Sequence, residues 1–397
     1  MTAATVERPP QAPSGGSRLV RQAWQVSAVP IASVLLAIVV GGLVILASSI
    51  VIKGSLDFSL PFVAYGALLE GDLGIGAPTL DATLNALTRS AVAAAPLLLA
   101  GLSVALGFKA GLFNIGATGQ FVIGGLVACV VGAALATANP WVAMPLALIA
   151  GALAGAAYGF IPGVLKATTG AHEVVTTIML NYIAVLTATA LVIGPLRAPG
   201  YTFDRTADVG NAGLPVVLGR DLHLGVLIAL AFVPLYGWLV WRTTLGFEIR
   251  TVGANPSAAR YAGMSPRRLI IVTMSLCGML AGLAGTIVFL GQVRYYPATF
   301  GTGIGFDAIA VALLGRSHPL GVLLAAILFG VMRAGAPLMQ IRADIPIQII
   351  DVLTAIILFF LAADIIVRRL FRFRAAKGGV EGDVAAVSRS YGGETPR

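Results

Sequence analysis

Charge is what this sequence has least of. Only 11% of its 397 residues are Asp, Glu, Lys or Arg, against roughly 25% in an ordinary soluble domain. A water-facing surface cannot be built from so few, and no single soluble core absorbs a chain that is 58% hydrophobic. The two cysteines, Cys129 and Cys277, both lie inside apolar blocks, which excludes a disulfide framework. The three histidines, His172, His223 and His318, stand far apart, so there is no His/Cys cluster at metal-ligand spacing. No stretch reads G-x-x-x-x-G-K-[ST], the loop that cradles nucleotide phosphates. Any energy-driven process here needs another polypeptide or an ion gradient. A membrane-embedded enzyme has no nucleophile beside a plausible base to work with.

What the chain does have is long apolar blocks. They fall at about 28–52, 89–108, 118–137, 141–165, 174–195, 223–241, 268–290, 304–315, 319–338 and 345–367. A block of about 20 residues is what a bilayer-crossing helix needs. The expected fold is all-α: a polytopic transmembrane bundle of about ten spans. The first block is too long for a signal-peptide core of about 7–15 residues, so it reads as an uncleaved first span. Residues 1–27 read as a disordered cytoplasmic tail, 28–367 as the transmembrane domain, and 368–397 as a basic, then disordered, cytoplasmic tail.

The net charge of +9 has a topological reading. With the amino terminus placed in the cytoplasm, the inner segments hold Arg8, Arg18, Arg21, Lys109, Lys166, Arg242, Arg250, Arg260, Arg267, Arg268, Arg316 and the run from Arg368 to Lys377. The outer segments hold Lys53, Arg89, Arg197, Arg205, Arg220, Arg294 and Arg342. Basic residues favour the cytoplasmic side, so both tails are expected there, in a bacterial plasma membrane. No basic module with base-stacking aromatics is left over, so nucleic acid is not an expected partner.

Small residues suggest tight helix packing. Gly151, Gly155, Gly159 and Gly163 stripe one helix face, and Gly278, Gly282 and Gly285 form a second cluster. Such stripes let backbones touch in lipid. Two glycine-interrupted stretches, FNIGATGQFVIGGLVA (113–128) and FGTGIGFDAIAVALLG (300–315), resemble one another and each precedes a long span. Paired broken segments point to a midplane path and to an inverted 5+5 repeat. Polar residues within the spans are the candidate lining of that path: Asn114, Thr118, Gln120, Glu173, Thr177, Asn181 and Asp307, with Thr176 beside them. Thr176 and Thr177 have the competing option of bonding their own helix backbone. Glu173 has a structural or gating alternative. Arg333 either snorkels to the outer interface or pairs with Asp344 or Asp351, and Asp364 sits beside Arg368.

The loop 242–268, RTTLGFEIRTVGANPSAARYAGMSPRR, holds a short helix. Asn255 is a good cap, Pro256 suits the first helical position, and Gly263 suits the end. A short helix on a cytoplasmic loop is a docking element, or merely part of a basic loop that sets topology.

Four segments carry a resemblance. They are GFEIRTVGANPSAARYAGMS (246–265), FKAGLFNIGATGQFVIGG (108–125), HEVVTTIMLNYIA (172–184) and GTGIGFDAIAVALLGRSHPLG (301–321). Their sequence and order resemble permease subunits of ATP-binding-cassette importers of the branched-chain amino acid, simple-sugar and nucleoside class, most closely the nucleoside branch. His172 departs from the Asn expected before Glu173. The resemblance implies that the loop inserts a coupling helix into an ATPase subunit through Gly246, Phe247, Glu248, Arg250, Gly253, Asn255, Ala258, Ala259 and Gly263. It implies a cytoplasmic ATPase that binds the ATP and magnesium, with no cofactor in this chain. It also implies a second permease subunit, expected to be a paralogue, and an extracellular solute-binding protein. The expected function is import of a nucleoside or related polar solute by alternating access. The alternatives are a ribose-type sugar or branched-chain amino acid permease, or an ion-coupled secondary transporter using Asp307, Glu173 or Asp351.

Overall fold

The computed structural model describes residues 15–76, 79–300 and 303–362. In chain order its helices are α1 (Gly15–Lys53), α2 (Leu60–Leu73), α3 (Leu80–Lys109), α4 (Ala117–Ala134), α5 (Pro140–Thr169), α6 (Glu173–Ile193), α7 (Leu224–Arg242), α8 (Thr244–Ala254), α9 (Pro256–Tyr261), α10 (Pro266–Val288), α11 (Ile304–Leu314), α12 (Pro319–Ala343) and α13 (Ile349–Ala362). A small hairpin, β1 (Val216–Leu218) and β2 (Leu222–His223), precedes α7. Among the described residues eight helices are long and apolar enough to cross a membrane, while α11 and α13 are shorter apolar helices. Every apolar block of the sequence holds a helix. The expected tail 368–397 and the Asp364–Arg368 contact lie outside the described residues. The amino-terminal expectation meets one difference: α1 already begins at Gly15.

The bundle is organised around α3 and α10. Helix α3 is buried along almost its whole inner length, from Val92 to Phe108. The two glycine stripes find each other, α5 against α10. A Cβ on Gly155 would stand 2.6 Å from the Cα of Gly282, and one on Gly159 would stand 3.0 Å from the Cα of Gly278. Main chains meet there with no side chain between them, which is the geometry small residues permit in lipid.

The segment 53–88 differs from expectation. It falls between two apolar blocks and holds Asp57, Glu70, Asp72 and Asp81, yet α2 forms within it and α3 starts at Leu80 rather than near 89. One of these charges has a partner far along the chain. Glu70 takes both terminal nitrogens of Arg342 at 2.6 and 2.7 Å. Asp57 and Thr79 sit outside the helices, where Thr79 Oγ1 accepts from Ala82 N as the α3 cap.

Helix α2 also alters the topology. Asp57 N donates to Ser49 Oγ (3.0 Å) and Tyr65 OH donates to Ile38 O (2.7 Å), so α1 and α2 form an antiparallel hairpin. Glu70 meets Arg342 near the far end of α12, whereas α12 begins beside the end that carries α8 and α9. The Pro30 end of α1 therefore lies at the opposite end of the bundle from α8 and α9.

That opposite end is closed by a stitched cap. Residues 198–214 hydrogen-bond to 290–298 through Thr206 N to Tyr296 O (2.9 Å), Val209 N to Arg294 O (3.0 Å), Leu214 N to Leu290 O (2.8 Å) and Ala298 N to Asp204 O (2.9 Å). The Arg205 guanidinium lies between the Tyr201 and Tyr295 rings at 3.7 and 4.0 Å and pairs with Asp208. His223 caps α7, its Nδ1 accepting from Gly225 N at 3.1 Å. Burial, with help from Arg294, pushes its imidazole down to about 4, so it stays a neutral acceptor at physiological pH.

Candidate functional site

The two glycine-interrupted stretches break the bundle as their sequences suggest. After α3 the chain turns at Gly111 (φ +69), runs unwound through 112–116 and starts α4. After α10 it passes through a π-helical turn, Phe289–Val293, and starts α11 from the other end. The two helix starts then meet. A Cβ on Gly305 of α11 would collide with Thr118 Oγ1 of α4, and Phe121 stacks on Phe300 with centroids 6.0 Å apart. This tip-to-tip junction, with helix starts arriving from opposite ends, is the candidate solute-path element.

Its polar groups are held by protein. Asn114 Nδ2 donates to Gln120 Oε1 (2.9 Å), and Gln120 Nε2 returns a bond to Asn114 Oδ1 (3.2 Å). Ser103 of α3 joins them through Asn114 Nδ2 (3.4 Å) and donates to Cys277 O of α10 (2.7 Å). Asn181 of α6 receives Gly119 N (2.7 Å) and donates to Ile115 O (2.9 Å). It thereby satisfies two main-chain groups that the break leaves without helical partners, at a depth where none can be left open. Thr177 Oγ1 bonds Glu173 O (2.7 Å) and Thr176 bonds His172 and Glu173 carbonyls, which is the self-bonding alternative. Glu173 is buried and pairs with Lys166 Nζ at 2.8 Å, a contact between α6 and the end of α5. Asp307, in the first turn of α11, pairs with Arg333 of α12.

The expected lining thus divides. Asn114, Thr118, Gln120, Asp307 and half-buried Asn181 gather at or beside the junction, and Thr177 packs on Gly116 at the start of α4; Glu173 lies at the start of α6, paired with Lys166. Six of the seven, all but Asn181, are buried, so in this conformation they bond to one another and to backbone rather than face an open cavity. Arg333 takes Asp307 as its partner, with Asp351 at 3.9 Å. Asp344 instead ends α12 in the left-handed region (φ +54). Ser103 was missed, because a serine in an apolar run gives no signal of a partner on a distant helix.

Asn181→Ala leaves Gly119 N and Ile115 O unpaired at about 1–3 kcal/mol each. We expect the purified protein to melt several degrees lower in a thermal unfolding scan; an unchanged melting temperature would show that the latch carries no stability.

The loop 242–268 forms two helices. Asn255 Oδ1 accepts from Ser257 N and Ala258 N, both at 3.0 Å, Pro256 opens α9, and Gly263 follows at φ +81, as its sequence indicates. The preceding α8 is seated in the bundle. A Cβ on Gly246 would lie 2.6 Å from Val240 O, and one on Gly253 would lie 2.8 Å from Ala110 C. Ala259 is fully buried. Gly246, Gly253 and Ala259, expected at a partner's groove, therefore face this chain's own core, because only small residues fit those approaches. The outward face consists of Phe247, Asn255, Ala258, Arg260, Gly263 and Tyr261, which is 95% exposed, with Glu248 and Arg250 half-buried at its edge.

A multi-span bundle with broken helices meeting inside it, and a capped helix on a loop at one end, is the architecture of a membrane transporter. Comparison with known proteins makes the class specific. Residues 86–362 match the family described as branched-chain amino acid transport system / permease component, and the chain belongs to that family. It is 36% identical over 345 residues to the guanosine ABC transporter permease protein NupP of Bacillus subtilis, covering 86% of this chain and 94% of that one. It is 38% identical over 284 residues to the nucleoside ABC transporter permease protein NupB of Lactococcus lactis, covering 68% and 78%. The ribose import permease protein RbsC of Escherichia coli is more distant, 29% identical over 208 residues, covering 50% and 63%. No solved structure matches. The chain is an ABC transporter permease subunit and not itself an enzyme.

Proposed function

We propose that this chain imports nucleosides across a bacterial plasma membrane as one of two permease subunits of an ATP-binding-cassette importer. The similarity to NupP along 94% of that protein carries the reading. The partners would be a cytoplasmic ATPase that binds ATP and magnesium, a second permease, expected to be a paralogue, and an extracellular solute-binding protein. The end bearing α8 and α9 is taken as cytoplasmic, since Lys109, Arg242, Arg250, Arg260, Arg267, Arg268 and Arg316 all fall there. On that frame the Pro30 end of α1 faces outward. The opposed helix starts at α4 and α11 support an inverted repeat.

The geometry supports a direct mechanical route. Gly253 of α8 rests on the Lys109–Gly111 turn, and that turn leads within a few residues to Asn114 and α4. A displacement of α8 and α9 by the ATPase is thereby passed to the junction of α4 with α11. Separating Thr118 from Gly305 would uncover Asn114, Gln120 and Asp307 as donors and acceptors for a polar solute. A second reading, a simple-sugar permease, is favoured by the 34% identity to a glucose ABC transporter permease protein of Haloferax volcanii.

Uptake of radiolabelled uridine and guanosine, in cells with and without the gene and with unlabelled ribose as competitor, tests this. We expect loss of the gene to remove uptake that ribose does not compete for. Unchanged uptake in cells lacking other nucleoside carriers would turn the assignment to sugars.

A further inference from the structure

Arg333 lies inside the span Pro319–Ala343, yet its side chain is 38% exposed. An ionised group within a span is costly against lipid and belongs to a polar or water-filled surface. Asp307 takes one edge of its guanidinium and Asp351, 69% exposed, stands 3.9 Å away. A guanidinium has five N–H donors. Among the described residues nothing beyond these two carboxylates engages them.

A second observation falls at the same place. A Cβ built on Gly303 would stand 3.6 Å from Arg333 Nη2. Phe306, one helical turn further along the same face of α11, is 65% exposed. The start of α11 thus presents an open aromatic ring and a guanidinium with free donors, while Asp307 neutralises the charge behind them.

We propose that Phe306 and Arg333 form a solute-contact subsite on the outer side of the α4–α11 junction, selective for a neutral planar ring bearing carbonyl groups, a nucleobase. The ring face of Phe306 stacks on the base, which is sequence-tolerant because every base has a π-face. The free N–H groups of Arg333 donate to base carbonyl oxygens. Asp307 is a positioning residue: it fixes the guanidinium and offsets its charge, and with Asp351 beside them the subsite disfavours anionic solutes. A sugar without a base makes only part of these contacts. This inference rests on the nucleoside reading above.

The test uses the whole transporter in cells. Phe306→Leu and Arg333→Lys keep bulk and charge, so folding is retained and membrane protein levels stay equal. We expect uridine uptake at saturating solute to fall about tenfold in each, the size of one lost charge-assisted contact or base stack. Phe306→Cys supplies a second readout, because Cys129 and Cys277 are both buried and give little background. A membrane-impermeant methanethiosulfonate should label position 306, and saturating uridine should slow that labelling at least about fivefold, with ribose having less effect. Absent labelling would place the patch against lipid or the second permease and overturn the proposal. So would normal uptake by both variants in cells whose wild-type transporter imports uridine. If the wild-type protein imports no nucleoside, the nucleobase assignment falls with that reading, and labelling at 306 then reports only whether the patch faces water.

Discussion

Gly155→Leu is expected to abolish recovery of folded protein. Its Cβ alone would stand 2.6 Å from the Cα of Gly282 and would collide with Gly278 O. Backbone cannot yield as a side chain does, so α5 and α10 must part. Forcing extra atoms into a packed core ordinarily costs about 1–3 kcal/mol, and a clash with main chain along the largest helix contact of the bundle belongs above that range. It also uncovers Ser103, Asn114 and Gln120, whose network is anchored on Cys277 O of α10. Size-exclusion chromatography of the detergent-solubilised protein should show a monodisperse peak for wild type and aggregate for the variant. Gly66→Ala is the control, since nothing lies within 4 Å of a Cβ there. A monodisperse Gly155→Leu protein with wild-type thermal stability would show that the stripe is not a packing surface.

Tyr261→Ala is expected to leave a folded protein that no longer transports. Tyr261 ends α9 and is 95% exposed, touching little in its own chain. Large aromatic residues at such positions are the usual anchors of a protein interface, worth about 2–4 kcal/mol on truncation. That corresponds to roughly a 30- to 1,000-fold weaker association with the ATPase. Co-purification of the ATPase and solute uptake should be lost together while thermal stability holds. Full uptake would move the docking face elsewhere. Ala259→Arg makes a contrasting case. Ala259 is fully buried, so that change should lower stability by unseating α9, and its transport defect would not report on docking.

The two cases differ in how far they were legible. The glycine stripe at 151–163 and the cluster at 278–285 stood out in sequence because a four-residue period puts small residues on one helix face. That they face each other was not legible, since spacing within one helix carries no information about its neighbour. The α9 cap at Asn255, Pro256 and Gly263 was fully legible, because capping is local chemistry. Which α9 residues point outward was not. The resemblance implied docking through Ala259, whose small side chain instead seats it in this chain's own core.

The segment holding α2 shows the same limit. Glu70 and Asp72 lower its apparent hydrophobicity, and only Arg342, far along the chain, makes Glu70 affordable there. The path residues follow the same pattern. Asn114, Gln120, Asn181 and Asp307 were recognisable as polar groups in spans. Their mutual bonds, and the pairing of Asp307 with Arg333 rather than of Arg333 with Asp344, depend on which helix starts meet.

The sequence by itself determined that the chain is a helical membrane protein, where most of its spans lie, the α9 cap, and through four ordered motifs its family. All of these follow from composition, periodicity and local backbone preference, which act within a single helix or turn. Only the tertiary structure decided the α5–α10 pairing, the inward seat of α8, the hairpin of α1 with the added helix α2, and the meeting of α4 with α11. Those depend on contacts between residues distant in the chain, where packing volume and the pairing of buried charges choose among arrangements that local preference leaves open.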